Sequence, residues 1–382
     1  MSQLSRARVG HSRLRVGLAC AAALLLAACA SNAASAPDTT SAAPPATQAS
    51  SASSGGSQSS SSAATSSLNE PDTNGDGKVV IGVLSPGDIH DHGYYQSFVD
   101  AANAYAKKQG WTVITRGSVP DTEALAAARA LCQQHVDMVA LGASELKDAI
   151  PASEEAVCAK TAWYVPAAAN IAQTPKIVIS SDDPNQDLLA AGYAAGLLMK
   201  PKHYATAGYV TGVKADFSIV AAKAFLAGIR EVVPSGKLLT AYTGDFNDSA
   251  KAKEATQAQL SQGAKVIYPY LGGATDASAL AANQGGALTL TPGTDRCGET
   301  SPKFDISVIF SPGAYFLAAL EAFSKNQLIM GTTKVWSMGV DPYPTVKLCE
   351  GTAEQKAALA EFIKKIGNKS IDPAKEVKRL GG

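Results

Sequence analysis

Clustered basic charge is the first thing this sequence lacks. Its 33 lysines and arginines are matched by 33 acidic side chains, and none of its basic residues gather with interleaved aromatics, which excludes a typical nucleic-acid surface. A membrane-crossing segment is missing as well, because no apolar run reaches the ~20 residues that a spanning helix needs. Enzyme signatures are equally scarce: no G-x-S-x-G elbow, H-E-x-x-H or S-x-x-K element stands in a credible context. Catalysis would require a nucleophile with an oriented base, or paired carboxylates. Asp88 and Asp91 are the nearest such pair, and neighbouring loop acids are ordinarily just solvated. Histidine is sparse, with five in the chain. His90 and His92 flank Asp91 and have the side chains zinc prefers, but Pro86 and Gly87 make this a loop, and His135 and His203 fall in other elements. No metal site is expected there, which leaves these two histidines as ligand contacts or solvated loop residues.

What the N-terminus does have is an export signal. Arg6, Arg8, Arg13 and Arg15 precede an apolar run from Val16 to Ala28, the charged and apolar regions of a secretory signal. The run ends in Leu26-Ala27-Ala28-Cys29, small residues before a cysteine that resemble a bacterial lipobox, where the thiol is diacylated and becomes the first mature residue. Two or three acyl chains, at ~0.8 kcal/mol per buried CH₂, hold a protein durably at a membrane. The expectation is a signal peptide over residues 1–28, lipidation at Cys29 and a mature chain anchored on the extracytoplasmic face of the cell membrane; an ordinary signal with a chance cysteine is the alternative. Residues 30–67 are almost all Ala, Ser, Thr, Pro and Gly, with Asp38 the only charge. Such a stretch buries too little apolar surface to offset its ordering entropy, so residues 29–77 read as lipidated cysteine plus flexible tether. Asp72-Thr73-Asn74-Gly75-Asp76-Gly77 copies the first half of a calcium loop, but Val83 stands where the bidentate Glu is due, and a turn-rich linker end is the better reading.

From Lys78 onward about 300 residues remain, enough for two α/β lobes and too many for one ordinary core. Without the four signal arginines, 29 basic side chains face 33 acidic ones, a formal charge of −4. Cys132, Cys158, Cys297 and Cys349 in an exported chain suggest two disulfides, for which three pairings exist. Cys132 with Cys158 and Cys297 with Cys349 is favoured, because each closes a moderate loop; buried thiols are the alternative. Short β-branched runs at 79–84, 111–115, 138–141, 176–180, 206–210, 238–243, 266–270 and 287–290 alternate with helical spacing at 94–109, 122–135, 186–199, 218–233, 249–262 and 277–283. That rhythm predicts parallel sheets built from right-handed βαβ units. The fold class expected is α/β, two doubly wound parallel-sheet lobes around a ligand cleft. Residues 354–382 read as a solvated terminal helix and tail.

In such sheets ligands bind beyond the carboxyl ends of the strands. Two loops there carry unusual residues. Residues 85–96 place acids, imidazoles, Tyr94 and Tyr95 at the mouth of one lobe. In Gly244-Asp245-Phe246-Asn247-Asp248, either Asn247 or Asp248 suits the cap of the following helix, and Phe246 is either packed under the loop or offered to a ligand.

These residues resemble the basic membrane protein, or purine nucleoside receptor, family of lipoprotein substrate-binding proteins for ABC transporters. The stretch Tyr242 to Glu254 is similar to that family's signature, and Asp91-His92-Gly93-Tyr94-Tyr95-Gln96 to its D-x-[SG]-aromatic-N-Q element. Residues 190–197 and 208–212 match two further blocks in the right order. The resemblance implies a type I periplasmic-binding-protein-like fold, with residues 78–183 and 296–330 in one lobe and 184–295 and 331–382 in the other, hinged near Asp182 to Pro184, near Asp295 and near Gly331. It implies a monomer without cofactor or enzymatic activity, a nucleoside-like ligand, and delivery to a permease with an ATPase partner. By position, Tyr94 and Phe246 would stack on the base, Asp91 and Gln96 would face the cleft, and Asp295 would take the ribose hydroxyls; Tyr95, Asp248 and Gly272 complete the expected ligand set. Stacking is worth ~1–3 kcal/mol per ring. Three departures bear on the ligand. Tyr95 replaces the family's asparagine, Pro292 to Cys297 keeps only the first acid of a G-V-D-S-D-Q run, and a usual lysine is missing from Phe310-Ser311-Pro312-Gly313. A sugar-binding protein of the same architecture and an exported nucleoside hydrolase are the alternatives.

Overall fold

Twelve strands and nine α-helices alternate along the described chain. The computed structural model describes residues 70–167 and 171–381. The expected signal peptide, Cys29 and the tether as far as residue 69 lie outside them.

The first sheet holds β1 (Val80–Leu84), β2 (Thr112–Arg116), β3 (Met138–Leu141), β4 (Ala162–Ala167) and β5 (Ile177–Ser181), with α1 (Tyr94–Gln109) and α2 (Ala124–Cys132) between them. The second holds β6 (Thr206–Thr211), β7 (Lys237–Tyr242), β8 (Val266–Tyr270) and β9 (Leu288–Pro292), joined by α3 (Pro184–Met199), α4 (Asp216–Val232), α5 (Ser249–Ser261) and α6 (Thr275–Gln284). There follow β10 (Ile306–Ile309), α7 (Pro312–Ser324), β11 (Thr333–Val335), β12 (Thr345–Leu348), α8 (Ala353–Gly367) and α9 (Pro373–Leu380). The strand orders are β11-β5-β4-β3-β1-β2 and β12-β10-β9-β8-β6-β7. All pairs are parallel except β10 with β12. Strands such as β3 are buried along their whole length, as expected where helices cover both faces of a parallel sheet.

The final third of the chain corrects the expected division. Residues 296–309, assigned to the first lobe, end in β10, which pairs with β9 and β12 of the second sheet. β11, assigned to the second lobe, pairs with β5 of the first. Between them α7 returns to the first lobe, where Phe316 stacks on Phe98 at 4.3 Å and a Cβ at Gly313 would fall 2.3 Å from the Ser97 carbonyl oxygen. That close approach explains glycine at this position. The chain therefore changes lobe at Asp182–Asp183, at Phe310–Ser311 and after Val335, not at Asp295 or Gly331.

The C-terminal stretch is not simply solvated. α8 opens with a capping box between Thr352 and Gln355 and buries Leu359, Phe362 and Ile366 in the second lobe, where Phe362 stacks on Tyr193 at 3.9 Å. Cys132 is bonded to Cys158 and Cys297 to Cys349, one bridge in each lobe. The half calcium loop is folded on itself: Asp72 accepts backbone N–H bonds from Gly75, Asp76 and Gly77.

The tightest contact in the second lobe is between α3 and α4. A Cβ at Gly192 would lie 2.0 Å from the Phe225 carbonyl oxygen, and one at Gly228 would lie 2.0 Å from that of Leu189. Backbone cannot yield as a side-chain tip can, so Gly192→Ala forces the helices apart. Overpacking of this kind costs about 1–3 kcal/mol, and urea denaturation should show that loss; an unchanged midpoint would contradict the packing.

Candidate functional site

The carboxyl ends of the parallel strands converge on one cavity between the lobes. Ser144 and Glu145 follow β3, Pro166 is next to last in β4, Asp182 follows β5, Leu271 and Gly272 follow β8, and Phe310 follows β10; all line it. This is where open parallel sheets present backbone and side chains to ligands. The empty space amounts to about 940 Å³, a figure that takes in solvent at the open mouth.

Its walls are aromatic. The first lobe contributes Tyr94, Tyr95, Tyr164 and, from α7, Tyr315; the second contributes Phe217, Phe246, Tyr270 and Phe310. Tyr94 meets Tyr95 edge-on at 5.4 Å and Phe310 at 6.0 Å. Phe246 answers both readings of its loop position. Its ring packs against Gly212 and lies parallel to Phe217 at 6.1 Å, yet it also lines the cavity.

Tyr95 joins the lobes. It is 4% exposed, its ring rests on Gly87 of its own lobe, and a Cβ at Gly272 of the other would lie 2.7 Å from Tyr95 Cε2. A family-position asparagine would not span that gap. Its hydroxyl donates to Glu145 at 3.5 Å, as Tyr315 does to Asp182 at 3.3 Å.

Burial makes the charged form of the acids here costly. Burial pushes the Glu145 carboxyl up from the ordinary carboxylate value and Asp182 up to about 6. Asp187, in the first turn of α3 and 2% exposed, is raised well above it by burial and by the charges of Asp182 and Asp183. Its Oδ1 has no hydrogen-bond partner among the described residues. A buried carboxylate is costly unless a cation or hydrogen bonds offset its charge.

Of the expected ligand residues, Tyr94, Tyr95, Phe246 and Gly272 line the cavity. The other four are engaged elsewhere. Asp91 accepts backbone N–H bonds from Gly93, Tyr95 and Gln96, fixing the start of α1. Gln96 accepts from the His92 N–H. Asp248 caps α5 by accepting from Lys251 N at 3.0 Å, which settles the choice between it and Asn247. Asp295, exposed, pairs with Lys347 Nζ at 2.9 Å, because Lys347 lies on β12, the neighbour of β10 in the same sheet. Glu145, Tyr164, Asp182, Tyr270, Phe310 and Tyr315 were not anticipated. All but Tyr164 and Tyr315 follow or end strands, so applying the strand-end rule to every loop would have found most of them. Among the described residues, no cluster of His, Cys, Asp and Glu suits a metal ion, and no helix is long and apolar enough to cross a membrane.

Residues 78–286 match a family described as ABC transporter substrate-binding protein, PnrA-like. No curated protein matches the chain. Among solved structures, a solute-binding protein of an ABC transporter system from Conexibacter woesei DSM 14684 is 18% identical with a TM-score of 0.60, covering 77% of this chain and 98% of its own. ABC transporter solute-binding proteins from Aeropyrum pernix K1 give 16% identity and 0.61, with coverage of 79% and 90%. The binding component of the arabinose ABC transporter from Shewanella sp. ANA-3, bound to L-arabinofuranose, gives 17% and 0.53, with 76% and 97%. At such identities the likeness is one of fold, that of type I periplasmic binding proteins.

Proposed function

Because the chain belongs to the PnrA-like family of ABC transporter substrate-binding proteins, we propose that it captures a nucleoside between its lobes and presents it to a membrane permease. The observation that carries the ligand class is the lining: aromatic rings from both lobes face one cavity. A flat heterocycle suits such walls, while hydroxyls suit the acceptors Glu145, Ser144 and Asp182. The Shewanella relative binds a sugar, but sugar sites commonly surround hydroxyls with charged planar side chains, and the described lining holds no arginine. Contacts made only when the lobes are together shift the population towards closure; a base held against both faces does this.

A thermal-shift panel of nucleosides, bases, sugars and amino acids tests the reading. A ligand at a hundred times its Kd adds ~2.7 kcal/mol, a shift of several degrees. Shifts with sugars alone would replace the nucleoside by a sugar. For the best ligand, Phe246→Ala should weaken binding by ~1–3 kcal/mol, the worth of one stacked ring, measured by calorimetric titration; undiminished affinity would place Phe246 among the packing residues.

The lipobox-like Leu26-Ala27-Ala28-Cys29 supports an anchored, extracytoplasmic protein. Cys29→Ser should move the chain from the membrane to the soluble fraction of the producing cell; retention at the membrane would count against acylation.

A further inference from the structure

The cavity is lined by acids and aromatic rings, and by no cation. Glu145 and Asp182 stand in its wall, and no Lys, Arg or His is among its described lining residues. Asp187 lies close enough for its charge to act on the wall tyrosines Tyr270 and Tyr315, with one carboxylate oxygen unpartnered. Lys334, over the Trp336 ring at 4.7 Å, is bonded to Asp341 instead. Elsewhere the fold does pair buried charge: Arg296, 5% exposed, is bonded to both Asp276 and Glu299.

We propose that the physiological ligand is a cation, an organic molecule carrying a protonated or quaternary nitrogen, which supplies the positive charge that the walls lack. Aromatic faces attract a cation through their quadrupole, most strongly where water is excluded. Carboxylates at the same site add a direct ion pair in low dielectric. Tyr94, Tyr270 and Phe310 form a continuous run of rings, at 6.0 and 6.1 Å spacings, suited to enclosing an ammonium group. A neutral nucleoside would leave Glu145 and Asp182 without a counter-ion. The inference rests on the proposed role of this cavity as the ligand site; it fixes the ligand's charge and not its ring.

The test is calorimetric titration of the full chain with two matched pairs: 5′-amino-5′-deoxyadenosine against adenosine, and choline against its neutral carbon analogue 3,3-dimethyl-1-butanol. In at least one pair the cation should bind tenfold or more tighter, and Glu145→Gln combined with Asp182→Asn should shrink that ratio at least fivefold. Equal or stronger binding of the neutral partner in both pairs overturns the inference, as does a ratio that survives both substitutions. Adenosine binding without cation preference would do so while leaving the nucleoside reading intact. Choline binding with both adenosines silent would uphold the cation and remove the nucleoside. Silence in all four titrations overturns both.

Discussion

Asp182→Asn should make the empty protein more stable at pH 7.5, by about 3 kcal/mol, although the substitution removes a group from the site. Burial raises the Asp182 carboxyl to about 6 in the folded chain, against ~3.9 in an unfolded one. The folded state therefore binds the proton more tightly. The acid's stabilising contribution is complete below about pH 4 and is lost as pH rises through about 6; above that, folding bears the cost of an ionised, poorly solvated carboxylate. The groups facing it add to this: Asp183 raises it by repulsion, while the Tyr315 hydroxyl lowers it by donating. Asp187 is displaced in the same direction. Thermal melts of the variant and the parent should converge near pH 4 and separate by several degrees at pH 7.5. Curves parallel across that range would mean that Asp182 is solvated and ordinary.

Gly272→Ala should cost tenfold or more in ligand affinity while barely changing the melting temperature of the empty chain. The added methyl would lie 2.7 Å from Tyr95 Cε2 and 3.0 Å from Asn247 Oδ1. Tyr95 cannot retreat, because its ring already rests on Gly87. Each lobe keeps its own core, so the strain is relieved by separating the lobes. Only the closed state is lost, and a ligand that needs both faces then binds less well by the fraction of closed molecules remaining. Small-angle scattering with saturating ligand should show the parent contracting and the variant remaining extended. A variant that contracts and binds normally would show that Tyr95 against Gly272 is not the closing contact.

The legible parts of this chain were those written in short-range pattern. Runs such as Val79 to Leu84 and Lys176 to Ser180 read as strands because a strand buried on both faces needs nearly unbroken apolar residues. The helix after Phe246 was bounded by a cap at Asn247 or Asp248, and Asp248 makes it through a local hydrogen bond three residues long. β4 was obscure, since Trp163 and Tyr164 show neither strict alternation nor a helical repeat, and only burial between β3 and β5 identifies it. Segment 296–335 misled for a different reason. Which sheet β10 or β11 joins depends on partners far away in sequence, Leu290 and Lys347 for one and Ile179 for the other, and nothing within those short strands records it.

The site divides along the same line. Tyr94 and Phe246 stood out because a loop aromatic beyond a strand end is a local oddity, the family resemblance supplied their expected stacking role, and with Tyr95 and Gly272 they line one cavity. Asp295, which the resemblance put at the ribose, makes an ion pair with Lys347, a residue far away in sequence. By itself the sequence determined the alternating α/β order, the helix caps and the cysteines available for pairing, since each depends on neighbours along the chain. Only the tertiary structure decided which acids lose their water, which tyrosine meets which glycine across the cleft, and that no positive side chain lines the described cavity. Burial and charge balance are properties of everything packed around a group, and the sequence fixes those surroundings only once the chain has folded.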